Sequence, residues 1–320
     1  MQRRIVATTR SPGCSRICEV VRTSTKRAEP IHLLFPFGSS ILVVCGLLCL
    51  SRVQERGASP WTSMICVCWM SAAIFPTLLP VGGTMQPAAM VWQPAIVGGL
   101  FLIGQLFTFL SVARGDVSIA APVLGVKVLM VPAASRFFVD DELSMRVWFA
   151  AAVTVAGIAF VQTRDASVRH SRIVASVSYA LLAACSMTLF DLLIQRWAPH
   201  WGVGYFLPIA FAFAALFSLL FAPLADRPSD LRRLGVMKPL TVGAVLMSVQ
   251  AIGMTVTLGL FGDATRVNIV YSLRGLWGVL LTWAVAHFIS SSGPALSHRT
   301  MVMRLIGAML IGASVVISVT

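Results

Sequence analysis

Residues 262–278 read Gly-Asp-Ala-Thr-Arg-Val-Asn-Ile-Val-Tyr-Ser-Leu-Arg-Gly-Leu-Trp-Gly, and residues 115–128 read Gly-Asp-Val-Ser-Ile-Ala-Ala-Pro-Val-Leu-Gly-Val-Lys-Val. These hold the two Gly-Asp dipeptides of the chain, and in each a cation, Lys127 or Arg274, follows the acid by eleven residues within apolar sequence. The copies are offset by 147 residues (262 − 115), close to half of 320. The chain therefore reads as one unit written twice, with a cation inside an apolar helix of each copy.

The composition sets the solvent in which those cations must live. The chain is 57% hydrophobic and 12% charged, with a mean hydropathy of +0.85, whereas soluble domains carry about 25% charged residues. This is a membrane composition. The net charge of +13 does not predict a nucleic-acid partner, because the basic residues are spread between apolar runs and over the first 27 residues instead of along one face. Lys and Arg anchor loops near the ends of spans. Five of the seven cysteines, Cys45, Cys49, Cys66, Cys68 and Cys185, fall in apolar runs and act as small hydrophobes. No metal site or cofactor is expected, since Cys14 and Cys18 lack a second ligand pair.

Ten apolar stretches follow residue 31, each long enough to cross about 30 Å of hydrocarbon as a helix. They fall near 31–50, 61–82, 91–113, 117–138, 146–163, 172–195, 202–223, 238–260, 264–288 and 302–319. They are continuously apolar without period-two alternation, which excludes a β-barrel. The polar break from Thr163 to Arg172 divides them five and five, into residues 31–163 and 172–319. An odd number of spans per unit inverts the second unit across the membrane, and a site is then expected near the midplane between the two. The predicted fold is all-α and integral to the membrane, ten transmembrane helices as two inverted five-helix repeats, located in the plasma (inner) membrane. Residues 1–30 are expected to be a basic, disordered tail, read either as a cytoplasmic extension or as an organelle transit peptide. Basic residues concentrate after odd-numbered helices, which favours those loops for the cytoplasm; the basic tail would then face outward, so the two signals oppose each other.

Helical geometry assigns roles within the repeated unit. Eleven residues make three turns plus about 20° and rise about 16 Å. If Asp116 and Asp263 cap their helices at the interface, Lys127 and Arg274 lie near the bilayer centre, where a charge costs about 2.5–3.5 kcal/mol. Asn268, Tyr271 and Arg274 recur every three residues on one face, whereas the matching face of the first copy carries Ala121, Leu124 and Lys127. The second copy is thus the more polar. Asp191 is the acid placed within an apolar run. With its helix ending near Arg196, Asp191 is expected to pair with Arg274 across a depth gap of about 9 Å, the alternative being local pairing with Thr188 or Arg196. Gln105 and Gln250 occupy equivalent third and eighth helices and are expected to face inward, as glue between helices or as ligand contacts. Asp263 and Arg266 are expected to form a local surface pair. The candidate pathway residues are Arg274, Tyr271, Asn268, Asp191, Lys127, Gln105 and Gln250. Structural salt bridging, or snorkelling in the case of Lys127, is the alternative reading.

No nucleophile–base pair, phosphate loop or metal-binding helix motif is present, so the chain is not expected to be an enzyme. The segment Gly115-Asp116-Val-Ser-Ile-Ala-Ala-Pro122 through Asp141-Glu142-Leu143-Ser144 to Ala156-Gly157, with Gly262-Asp263 through Tyr271-Ser-Leu-Arg274-Gly-Leu-Trp277, resembles the paired EamA repeats of the drug/metabolite transporter superfamily. Glu142 matches the acid that follows the fourth helix in that family; the second copy has Ser290 to Ser292 there instead. The resemblance spans residues 31–319. It implies a secondary, ATP-independent carrier of a small-molecule solute, and two midplane cations against one deep acid favour an anionic or zwitterionic cargo. A membrane scaffold or sensor with the same fold is the alternative.

Overall fold

Apolar sequence of this density leaves the backbone no partner but itself, so the chain is helical wherever it lies in hydrocarbon. The computed structural model describes residues 30–113, 123–138, 144–161, 170–278, 280 and 298–319. The tail to residue 29, Asp116, Pro122, Asp140 to Glu142, and Ser290 to Ser292 lie outside these residues. The main helices are α1 (Leu34–Glu55), α2 (Pro60–Ile74), α3 (Trp92–Ala113), α4 (Lys127–Phe138), α5 (Met145–Val161), α6 (His170–Trp201), α7 (Val203–Ser218), α8 (Pro228–Arg233), α9 (Met237–Phe261), α10 (Ala264–Tyr271) and α11 (His298–Val319). Among the described residues there is no strand, and six helical stretches are long and apolar enough to cross a membrane: Leu34–Glu55, Pro60–Val81, Ala88–Ser111, Val177–Trp201, Val203–Leu224 and Met237–Phe261. The protein is an all-α membrane protein.

Helix ends follow local chemistry. Ser59 caps α2, its side chain accepting from the Trp61 amide, and Pro60 takes the first helical position, where its missing N–H costs nothing. Asp263 caps α10 by accepting from the Arg266 amide at 3.2 Å, as expected, and also forms the surface pair with Arg266 at 3.5 Å. The end of the sixth apolar stretch differs from expectation. Helix α6 does not stop at residue 195 but runs through Pro199 to Trp201. What terminates it is Gly202, at φ +77°, a conformation that favours glycine. Pro199 only removes one hydrogen bond near the helix end, and neighbouring elements make good such losses in membrane helices.

Helix α1 packs on α9 and α3 on α6; α3 also packs on α7 and α9 on α2; α5 packs on α11, and α2 on α7. Helix α4 lies against α6 and α10, and α10 reaches α1. Several of these contacts are made at glycine, where backbones approach closely. A Cβ on Gly157 of α5 would meet the Gly307 carbonyl oxygen of α11 at 2.9 Å, and one on Gly243 of α9 would meet Leu50 of α1 at 2.9 Å. Small residues thus allow close helix approach, while the buried charged side chains Lys127 and Asp191 meet where α4 packs on α6.

Candidate functional site

Helix α6 carries a polar stripe along one face: Thr188, Asp191 and Gln195, at spacings of three and four that place side chains in line. Thr188 and Asp191 are each 2% exposed. Because α6 extends to Trp201, Asp191 sits ten residues, about 15 Å, from that end, deeper than a helix ending at Arg196 would allow.

Three elements converge on this stripe. Lys127, at the start of α4, places its Nζ 2.7 Å from Asp191 Oδ2. Asn268 of α10 donates from Nδ2 to the same Oδ2 at 2.6 Å and to the Ala264 carbonyl at 2.9 Å. One amide thus ties the carboxylate to the α10 backbone. Above them Gln195 donates to the Gly262 carbonyl and accepts from the Ala264 amide, so its side chain acts like a strip of backbone that fixes where α10 begins. One turn along α10 from Asn268, the Tyr271 hydroxyl donates to Gln250 Oε1 of α9 at 2.9 Å.

Arg274 has a different environment. Its guanidinium carbon lies 4.8 Å from the centre of the Tyr271 ring, a cation–π contact. Among the described residues no carboxylate comes within ion-pair distance of it. The expected Asp191–Arg274 pair is therefore not formed: α4 packs on α6 and delivers Lys127 to the carboxylate first. Local pairing of Asp191 with Thr188 is not formed either, since the Thr188 hydroxyl has no hydrogen-bond partner. Asn268, which holds Asp191, and Tyr271, whose ring lies under Arg274, stand one turn apart on α10 and so join these side chains in one polar cluster inside an apolar bundle.

Six of the seven residues singled out from sequence meet in this cluster: Lys127, Asp191, Asn268, Tyr271, Gln250 and Arg274. Gln105, 6% exposed on α3, is buried as expected but makes no hydrogen bond to the others. Sequence reading passed over Gln195 and gave Thr188 no role of its own. The signal was available, because both share the Asp191 face at helical spacing. Trp277 also ties the segment after Arg274 to α1, its indole N–H donating to Ser40 Oγ at 3.0 Å.

The formal charges of the cluster, Lys127 and Arg274 against Asp191, sum to +1. With Lys127 held by Asp191, the charge left without a carboxylate partner among the described residues is that of Arg274. A negatively charged group is the chemical complement of such a site.

No family model matches the chain, and no curated protein matches it. The fold is similar to that of a protein known from its crystal structure, with a TM-score of 0.60 at 17% identity over 90% of this chain and 97% of that one. At that identity the likeness shows the fold alone: a helical architecture that a second, distant sequence also adopts along nearly its whole length.

Proposed function

We propose that the chain is a secondary, ATP-independent carrier that moves a small solute with a negatively charged group across the plasma (inner) membrane. The observation that carries this reading is the pair of unlike cations in one buried cluster: Lys127 neutralised by Asp191 at 2.7 Å, and Arg274 lying over Tyr271 with no carboxylate beside it among the described residues. A purely structural ion pair needs only the first. An intramembrane charge is costly and is by default a candidate functional site, of which a solute pathway is one kind.

The helix pairings support an inverted-repeat plan of ten spans. Exchange each expected span for the one five places away, and α1 on α9 becomes α6 on α3, α3 on α7 becomes α9 on α2, and α5 on α11 maps onto itself. Each of these contacts is present. Carriers built this way bind at the interface between repeats, and the cluster lies there, with Lys127 from residues 31–163 and Asp191, Asn268 and Arg274 from residues 172–319. The resemblance of the two Gly-Asp segments to EamA repeats of the drug/metabolite transporter superfamily is a separate ground for the same reading. The competing reading, a scaffold or sensor with the same fold, requires no solute.

A thermal-shift screen of the purified protein against anionic, zwitterionic and cationic metabolites separates the two. Stabilisation by solutes bearing a negative group is expected. Stabilisation by cations alone, or by none of the panel, overturns the carrier reading.

A further inference from the structure

Helix threonines buried in a membrane protein have a default partner, the carbonyl four residues earlier. Thr154, Thr255 and Thr257 all use it, donating to Ala150, Ala251 and Gly253 at 2.7–2.8 Å. Thr188 does not. It is 2% exposed, and its Oγ1 is buried without a hydrogen-bond partner, although leaving a buried hydroxyl unmade costs about 1–3 kcal/mol. It stands three residues before Asp191 on the same face of α6, so their Cβ atoms are about 5–6 Å apart. Lys127 and Asn268 both engage Oδ2 of Asp191. A carboxylate offers about four lone-pair sites, so acceptor capacity remains on Oδ1.

We infer that Thr188 and Asp191 together bind a hydroxyl group of the solute, and that the cargo is a small hydroxy-carboxylate whose carboxylate faces Arg274. This deepens the carrier reading and rests on it. A hydroxyl both donates and accepts: it donates to Asp191 Oδ1 and accepts from the Thr188 O–H, satisfying both groups at once. A carbonyl only accepts, and leaves the Asp191 oxygen unmade. A second carboxylate is repelled by Asp191. An ammonium is repelled by Lys127 and Arg274, which outnumber the one acid of the cluster. The site charge of +1 accommodates one negative charge, which the carboxylate supplies.

Lactate, propionate and alanine share a three-carbon carboxylate frame and carry a hydroxyl, a hydrogen or an ammonium at the second carbon. Titrated against the purified full-length protein, lactate is expected to bind more tightly than propionate or alanine. Thr188→Val, which keeps the shape and removes the hydroxyl, should weaken lactate about five- to tenfold and leave propionate unchanged. Thr188→Ser should keep the preference for lactate. Equal loss for lactate and propionate in Thr188→Val, no loss in either, tighter binding of alanine than lactate, or no binding of any of the three overturns the inference. Should Thr188→Val not fold, the ranking of the three acids on the unaltered protein decides it alone. Arg274→Gln distinguishes the two levels of the argument. Loss of lactate and propionate binding there, with an unchanged ratio in Thr188→Val, removes only the Thr188 assignment, whereas unchanged binding in Arg274→Gln removes the carrier site itself.

Discussion

Lys127 and Arg274 each stand eleven residues after the Asp of a Gly-Asp dipeptide, yet their surroundings differ in kind. Lys127 is locked: its ammonium meets Asp191 at 2.7 Å, and Asn268 holds that carboxylate from the other side. Arg274 lies over an aromatic ring with no carboxylate beside it among the described residues. Equal positions in the two Gly-Asp segments thus have unequal surroundings. One cation is paired inside the protein where α4 meets α6, and the other, on the proposed reading, keeps its charge for a solute.

That contrast is broken most forcefully at Asp191. Removing one partner of a buried pair leaves the other charge uncompensated and costs about 3–5 kcal/mol. Asp191→Ala should therefore lower the unfolding midpoint in detergent sharply. The double variant Lys127→Met with Asp191→Leu, which removes both charges, should recover most of that loss. Equal destabilisation in the single and double variants would show that the charge pairing of Asp191 is not what its helix depends on.

Tyr271 lies between the two environments. Its hydroxyl donates to Gln250, and its ring lies under Arg274. Tyr271→Phe keeps the ring and leaves Gln250 Oε1 unmade, so a loss of about 1–3 kcal/mol is expected, measured by the same unfolding assay. The cation–π contact should survive, and binding of an anionic solute should change less than stability does. A larger effect on binding than on stability would mean that the hydroxyl itself touches the solute.

The smallest stability effect is expected at Arg274. Arg274→Gln breaks no ion pair among the described residues, and losing the cation–π contact costs about 0.5–2 kcal/mol. The same exchange at Lys127 strands Asp191 and should destabilise several times more. Similar losses at the two positions would erase the distinction between a locked cation and a free one.

Much of this was legible in the sequence because membrane solvent leaves few options. Continuous apolar runs locate the spans, and polar atoms inside them must converge, so Lys127, Asp191, Asn268, Tyr271, Gln250 and Arg274 could be named before their contacts were known. Which of them pair was not legible. The end of α6 was not legible either, because the apolar run fades near residue 195, whereas Gly202 at positive φ terminates the helix. An end near residue 195 places Asp191 about 9 Å short of Arg274 in depth, whereas the observed end at Trp201 brings the two nearly level, so depth alone does not choose the partner of Asp191. The packing of α4 on α6, which gives the carboxylate to Lys127, depends on close approach between distant helices, and no local pattern encodes it. Gln195 escaped notice for a similar reason, because its value lies in the α10 backbone it meets 67 residues later.

The central claim, that the cluster carries a negatively charged solute across the membrane, is tested most directly by counterflow in proteoliposomes. Vesicles containing the purified protein and loaded with an unlabelled acid identified by the binding screen should accumulate the labelled acid from outside. Arg274→Gln, folded to the same unfolding midpoint within a few degrees, should abolish that accumulation. Undiminished accumulation in Arg274→Gln, or accumulation by the unaltered protein no greater than in empty liposomes, would contradict the account.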